Sequence, residues 1–353
     1  MENNTRTVRG ISDEDVVLKA ESVFQHFPIK NDFGKVVNYV KAVDGVSLEL
    51  KKGETYGLVG ETGCGKSTLG RTLIRLLNPT SGYIELEGKD ISNIKEKEMR
   101  QYRKDVQMVF QDPFTSLNPR KKVGEILMEV LDIHNIGSKS ERLEIAMKIL
   151  EKVGLRPEHF YRYPHEFSGG QRQRVGLARA LILNPKIIVC DEPVSALDVS
   201  IQSQIINLLQ DLQKEDNLTY LFIAHDMSVV KYISDRIGVM YLGHIMEEAE
   251  TEELFDNTLH PYAKALLSSV PSTDFKQKNE KIVLKGDLPS PINPPTGCVF
   301  HTRCPYAKPE CSEFIPELRQ VKPGHKVACL MYEEIVKINK VKPEENTDTV
   351  QMK

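Results

Sequence analysis

The octapeptide Gly60-Glu61-Thr62-Gly63-Cys64-Gly65-Lys66-Ser67 constrains this chain more than any other stretch. An apolar run with Tyr56, Leu58 and Val59 leads into it, and Leu69, Leu73, Leu76 and Leu77 follow with helical spacing. A strand, a glycine loop and a helix in that order form the context that a phosphate-binding P-loop requires. The glycines let successive backbone N–H groups turn toward one anion. The helix start behind them adds partial positive charge. Lys66 is placed to reach the outer phosphates and the Ser67 hydroxyl to ligate magnesium. The bland alternative, a glycine-rich turn before a helix, gives way to the further motifs downstream.

A chain of 353 residues can hold one sizeable core and a smaller appendage. Its formal net charge of −3 offers no argument for nucleic acid as a partner. No apolar run approaches the length of a bilayer span. The stretch from Met1 to Glu14 is polar, without an apolar signal segment, so a cytoplasmic location is expected.

Strands are expected between about Val16 and Leu50, where Val46, Leu48 and Leu50 alternate with Ser47 and Glu49. Pro28 to Asn38 reads as a polar loop between them. A buried strand from Val106 to Phe110 runs into Gln111-Asp112-Pro113. From about 123 to 181, Val123, Ile126, Leu127, Val130 and Leu131 and then Leu143, Met147, Leu150 and Val153 follow helical spacing, as in a helical insert within an α/β core. Ile187 to Cys190 is a continuous apolar run of the kind buried on both faces of a parallel sheet. A helix through Ile201, Ile205, Leu208 and Leu212, a strand from Tyr220 to Ala224, and a hairpin turning at Gly243-His244 complete this part. Beyond about Ser269 proline becomes dense, and the chain is expected to be extended and helix-poor. From about Lys337 a Lys/Glu/Asn-rich tail reads as disordered.

Several strand ends carry chemistry. Asp191 ends the apolar run, where it can hold magnesium through water. Glu192 follows and can accept a proton from a water attacking a γ-phosphate. Gln111 can ligate magnesium or that water. His225, after the strand Leu221 to Ala224, can hydrogen-bond the γ-phosphate. Taken singly, a solvated strand end, a surface glutamine and a satisfied histidine are the bland readings. Phe167-Ser168-Gly169-Gly170-Gln171 precedes a helix and forms a second anion-binding helix start. One nucleotide needs only one such start. The economical solution is a head-to-tail pair, each nucleotide held between Lys66 of one subunit and the Ser168 loop of the other. Ser195-Ala196-Leu197-Asp198 would lie on that shared interface.

In this order, the motifs resemble the ATP-binding subunits of ABC transporters over roughly residues 16 to 268. They are a Walker A loop, the Gln111 loop, a signature reading FSGGQ, a Walker B strand with Glu192, a SALD loop and the His225 switch. Phe167 stands where that family most often has leucine. The resemblance implies an α/β fold, a P-loop NTPase with a RecA-like core, an antiparallel β edge and an inserted helical subdomain at about 112–181. It implies ATP and Mg2+ as ligands. ATP contacts are expected from Phe27, Gly60, Glu61, Thr62, Gly63, Cys64, Gly65, Lys66, Ser67 and Thr68, with Phe33 or Tyr39 as other candidates to stack on adenine. Magnesium contacts are expected from Ser67, Gln111 and Asp191. Gln111-Asp112-Pro113 with Ser116 to Arg120, His260-Pro261-Tyr262 and Gly286 to Pro291 look like the oligopeptide/dipeptide (and nickel) uptake subfamily, nearer its F-type than its D-type ATPase. That implies a related second ATPase, two transmembrane permease subunits, an extracytoplasmic binding protein and a peripheral place on the cytoplasmic face of the membrane. A nickel or other small-solute importer, a soluble ABC ATPase and a non-hydrolysing regulator are the competing readings. The last is disfavoured by an intact Lys66, Gln111, Glu192 and His225.

Of six cysteines, Cys64 and Cys190 read as small packing residues. The others are spaced Cys298-x5-Cys304-x6-Cys311-x17-Cys329, a small cysteine-rich extension over about 269–336. Four such thiols suit either tetrahedral Zn2+ or a [4Fe–4S] cluster. The subfamily resemblance through Gly297-Cys298 and Cys304-Pro305 implies the cluster.

Overall fold

Two long strands, β1 (Val16–Lys30) and β2 (Val36–Lys51), lead to β3 (Thr55–Val59) and helix α1 (Lys66–Leu73). In β2, Val46, Leu48 and Leu50 are buried and Ser47 is exposed, as the alternation predicts. The polar loop expected from Pro28 to Asn38 contracts to a tight turn, because both strands extend into it. Asn31 closes that turn: its side-chain oxygen accepts from the Phe33 and Lys35 N–H groups at 3.1 and 2.9 Å, and Gly34 takes φ +75°.

The computed structural model describes residues 15–112, 116–270 and 282–341. The polar segment ahead of residue 15, Pro113 and the far end of the charged tail lie outside the described residues. The chain forms two units that interleave along the sequence.

The first unit holds the chain up to Val23, Gly45–Thr55 and Gly70–Phe222. β4 (Ser81–Leu86) and β5 (Lys89–Asp90) join parts of β1 and β2 in a sheet of order β2-β1-β4-β5. After the short α2 (Glu96–Met99), β6 (Val106–Val109) pairs in parallel with β7 (Ile187–Asp191), Val106 opposite Ile187 and Val109 opposite Cys190. β8 (Thr219–Ala224) flanks β7 on its other side. Every residue of β7 and β8 is buried, as strands covered on both faces require. Between β6 and β7 lie α3 (Val123–Ile133), α4 (Lys139–Lys152) and α5 (Gly169–Leu181), the helical insert that the spacing predicts. Ser138 and Glu141 form a capping box at the start of α4. α6 (Val199–Asp216) connects β7 to β8 and ends at Asn217 in a left-handed cap.

The second unit holds Phe24–Asp44, Tyr56–Leu69 and the chain from Ile223 onward. After α7 (Met227–Ile233), β9 (Arg236–Tyr241) lies parallel to β3 and turns through Leu242 and Gly243 into antiparallel β10 (His244–Glu250). Both turn residues take positive φ, +43° and +84°, as a tight hairpin demands. α8 (Thr251–Asp256) and α9 (Pro261–Leu267) follow, then α10 (Glu310–Glu313). The proline-rich extension does not stand apart: its β11 (Arg319–Lys322) and β12 (His325–Val327) continue the sheet, with β12 antiparallel to β10. α11 (Tyr332–Val341) runs past residue 337, where composition predicts a disordered tail.

A buried ion network fastens β12. His325 Nε2 lies 2.7 Å from Glu247 Oε1 and its Nδ1 3.1 Å from Glu253 Oε1. The Glu247 carboxylate also accepts the Leu259 and His260 N–H groups, each at 2.8 Å, so its lone pairs are used. Burial opposes the charged imidazole, but hydrogen bonds to the two carboxylates outweigh it and raise the His325 pKa above 6.5. Hydrogen bonds from Lys322, His325 and Asn257 pull Glu253 from 4.5 down to about 2.

Stabilisation from His325 is therefore complete below pH 6.5 and lost as pH rises through its raised pKa. That from Glu253 is complete above 4.5 and lost as pH falls toward about 2. The urea midpoint measured across pH should decline on both sides of the interval between. His325→Gln should flatten the alkaline decline; an unchanged decline in that variant would assign it to other groups.

Candidate functional site

β3 is wholly buried and delivers the glycine loop at its end. Gly60 and Gly65 take φ +154° and +108°. A Cβ on Gly60 would stand 2.1 Å from the Met240 carbonyl oxygen, and one on Gly65 2.0 Å from that of Ala42. Both obstacles are backbone, so neither can move aside cheaply. The glycines are there because two other segments press on the loop from behind. Lys66, 4% exposed, opens α1 and donates from Nζ to the Gly60 and Glu61 carbonyls at 2.8 and 3.0 Å. Its ammonium is thus held inside the loop. Thr62 and Gly63 are exposed at the tip, while Ser67 and Thr68 are half-buried. Cys64 is buried, and burial pushes its thiol pKa up, so it packs as a small residue, as does the wholly buried Cys190.

The same unit carries His225, exposed after β8 and followed by Asp226, whose side chain caps α7. It also carries the three aromatic candidates at the β1–β2 hairpin. Phe27 is 36% exposed, Tyr39 45% and Phe33 90%, so all three present accessible rings.

The first unit gathers the carboxylates. Asp191, the last residue of β7, is fully buried, and Arg71 of α1 places Nη2 3.3 Å from its Oδ2. Glu192 has φ +46°, an uncommon backbone for glutamate that turns the chain sharply at the strand end. Its Oε2 accepts a hydrogen bond from Gln111 Nε2 at 2.9 Å. Two residues 81 positions apart, each singled out for its place after a buried strand, therefore meet. Arg71 escaped sequence reasoning. A basic residue in the last turn of α1 reads as a helix-dipole partner, and only the fold turns it toward Asp191.

Ser168 caps α5: its Oγ accepts from the Gln171 N–H at 3.4 Å, and the Gln171 side chain accepts from the Ser168 N–H at 3.1 Å. That reciprocal box leaves Ser168 exposed at a thirteen-residue helix start. A Cβ on Gly170 would meet Ile201 Cγ2 at 2.5 Å, and one on Gly169 Leu197 Cδ2 at 3.3 Å. The two glycines let α5 lie close to the Ser195–Asp198 segment and α6. Ser195 folds back on the Glu192 carbonyl, and Asp198 opens α6. Ala196 is exposed and Val199 is 78% exposed.

The four C-terminal cysteines carry free thiols. The Cys298 N–H donates to the Cys311 carbonyl at 2.8 Å. Burial pushes the Cys304 and Cys329 thiols up to about 11 and about 12. Among the described residues no group of three or more His, Cys, Asp or Glu side chains is placed to hold a metal ion. The zinc or iron–sulfur centre expected from the sequence thus finds no assembled ligand set among the described residues. Among the described residues, too, no helix is long and apolar enough to cross a membrane.

Residues 43–195 match the family described as ABC transporter, and residues 246–311 the oligopeptide/dipeptide transporter C-terminal region. The chain is 60% identical over 325 residues to the oligopeptide transport ATP-binding protein AppF of Bacillus subtilis, covering 91% of this chain and 99% of that protein. It is 53% identical over 326 residues to the oligopeptide transport ATP-binding protein OppF of Salmonella typhimurium, covering 91% and 97%. Among solved structures, the dimeric post-hydrolysis state of the ATP-binding cassette MJ0796 bound to ADP and Pi is similar. Its TM-score is 0.60 at 29% identity, over 66% of this chain and 98% of that one.

Gly65→Ala should force the Ala42 strand and the glycine loop apart. Nucleotide affinity, read by titration with a fluorescent ATP analogue, is expected to fall by at least about tenfold. Affinity equal to wild type would show that the loop tolerates the displacement.

Proposed function

Because the chain belongs to the ATP-binding proteins of ABC transporters, of the oligopeptide/dipeptide importer type, we propose that it is the ATP-hydrolysing motor of an importer for oligopeptides or dipeptides. The observation that carries the mechanism is the contact between Gln111 and Glu192 at the mouth of the strand that ends in buried Asp191. It brings a carboxylate and a neutral amide together, which supports their joint use in activating a hydrolytic water.

In this reading Gly60 to Thr68 cradle the triphosphate through backbone N–H groups, and Lys66 moves from the Gly60 and Glu61 carbonyls to the outer phosphates. Phe27 stacks on adenine. Ser67, Gln111 and Asp191 offer a hydroxyl, an amide and a carboxylate, an all-oxygen set suited to Mg2+. When bound there, Mg2+ would supply positive charge to offset that of the triphosphate. Glu192 takes the proton of the attacking water, and His225 hydrogen-bonds the γ-phosphate. The Ser168-Gly169-Gly170-Gln171 helix start engages the nucleotide of a second ATPase, with Ser195-Ala196-Leu197-Asp198 on the interface. Support comes from the exposed Ser168, Ala196 and Val199, and from the dimeric state of the similar cassette. The second ATPase is a related chain rather than an identical one.

The helical insert, about 112–181 of a cassette spanning 16–268, grips two transmembrane permease subunits, and a binding protein delivers cargo from outside. Exposed Ile133, Leu143 and Tyr161 on that insert support this docking. The chain then sits peripherally on the cytoplasmic face of the membrane. Peptide is favoured over nickel as cargo by the relatives named for oligopeptide transport.

Glu192→Gln should keep ATP affinity within about twofold and lower turnover by about 10²–10⁴-fold, as loss of a general base does. Phosphate release at the wild-type rate would reject the assignment.

Cys298, Cys304, Cys311 and Cys329 are further proposed to ligate a [4Fe–4S] cluster that staples the extension. The support is their clustering in the sequence and the 2.8 Å hydrogen bond from the Cys298 N–H to the Cys311 carbonyl, which brings two of the four together. Anaerobically purified protein should then contain about four iron and four acid-labile sulfide per chain. Colourless protein free of both would reject it.

A further inference from the structure

The turn between Cys298 and Cys304 reaches the glycine loop. Arg303 ends the short 3-10 helix His301–Arg303, and its side chain is 8% exposed. Its Nη1 donates to both oxygens of the Glu61 carboxylate, at 2.9 and 3.1 Å. The guanidinium also lies over the Tyr241 ring, 5.8 Å from its centroid, with Nη1 3.5 Å from the hydroxyl. Glu61 is held at its backbone too: its N–H donates to the Tyr262 hydroxyl at 2.9 Å, and its carbonyl accepts from Lys66 Nζ at 3.0 Å. Tyr241, Tyr262 and Phe300 form one aromatic cluster, with ring centroids 4.7, 5.2 and 5.4 Å apart. Phe300, fully buried, stands three residues before Arg303, so the cluster and the ion pair fix the same turn.

Glu61 brings a negative charge to the loop. It is the second residue of a loop that must hold a polyanion, and a bare carboxylate there repels phosphate. Arg303 cancels that charge and holds the carboxylate aside. We propose that Arg303 is a positioning residue for the nucleotide loop: by pairing with Glu61, the C-terminal turn completes the phosphate site. The proposal rests on the reading of Gly60 to Ser67 as the ATP loop. It makes the extension a part of the nucleotide site as well as an edge of the sheet. The effect falls alike on bound substrate and transition state, and so on KM rather than kcat.

The test is steady-state ATP hydrolysis by the complex assembled with its second ATPase, carrying the full chain or its variants, with melting temperatures of the chain to report folding. Arg303→Met should raise the ATP KM by about three- to tenfold and leave kcat within about twofold. Arg303→Lys, whose single ammonium can serve both carboxylate oxygens as Nη1 does, should stay near wild type. Glu61→Gln in the Arg303→Met background should bring KM back to within about twofold of wild type. A merely structural arginine would not be rescued by deleting its partner's charge. Glu61→Gln alone leaves the guanidinium charge uncancelled beside the loop and should lower KM by about two- to threefold, and this arm stands even where Arg303→Met fails to fold. An unchanged KM in a folded Arg303→Met variant overturns the proposal, as does failure of the rescue or a KM in Glu61→Gln that does not fall. An assembled complex carrying the wild-type chain that hydrolyses no ATP would instead overturn the reading beneath it.

Discussion

Two backbone carbonyls, those of Ala42 and Met240, set the shape of the glycine loop. They stand so close behind Gly60 and Gly65 that no side chain fits between. The pressure is organised by a relay of main-chain hydrogen bonds. Asp44 N–H donates to the Gly243 carbonyl at 3.0 Å, and Gly243 N–H to the Cys64 carbonyl at 2.9 Å. The β9–β10 turn, which looks like a plain hairpin connection, is thus the brace between β2 and the loop. With its backbone fixed from behind, the loop keeps its N–H groups turned forward, and Lys66 can rest on two loop carbonyls without collapsing it.

Much of this was legible in the amino-acid pattern, and the limits of legibility have a physical form. Continuous apolar runs such as Ile187–Cys190 mark strands covered on both faces, and the polar residues that close such a run stand out against it. That logic locates Asp191, Glu192 and Gln111, and the meeting of Gln111 with Glu192 follows from β6 and β7 being parallel neighbours. Polar composition misleads at Pro28 to Asn38, because a solvated hairpin end and a loop use the same residues. Only the bonding of Asn31 tells them apart. Arg71 on Asp191 and Arg303 on Glu61 carry no local signature, since long side chains meet across far-separated segments. The proline-rich extension reads as a piece that cannot build its own core. It needs none, because β12 takes its pairing partner from β10 and a buried histidine between two glutamates secures it.

Glu192 shows what a strand end must tolerate to serve. A glutamate at positive φ costs roughly 1–3 kcal/mol where glycine or asparagine would fit more easily. Ser195 Oγ, donating to the Glu192 carbonyl at 3.2 Å, and Gln111, donating to its carboxylate at 2.9 Å, hold the turn from both sides. The buried strand before it supplies the rigidity that lets so unfavourable a conformation persist.

The parallel pairing of β3 with β9 has a consequence for the birth of the protein. Tyr56 finds its partner at Arg236, and Gly60 its backstop at Met240. During synthesis the loop therefore leaves the ribosome on the order of ten seconds before the strand that shapes it. In that interval the nascent chain carries a glycine-rich segment and an apolar strand edge without their wall.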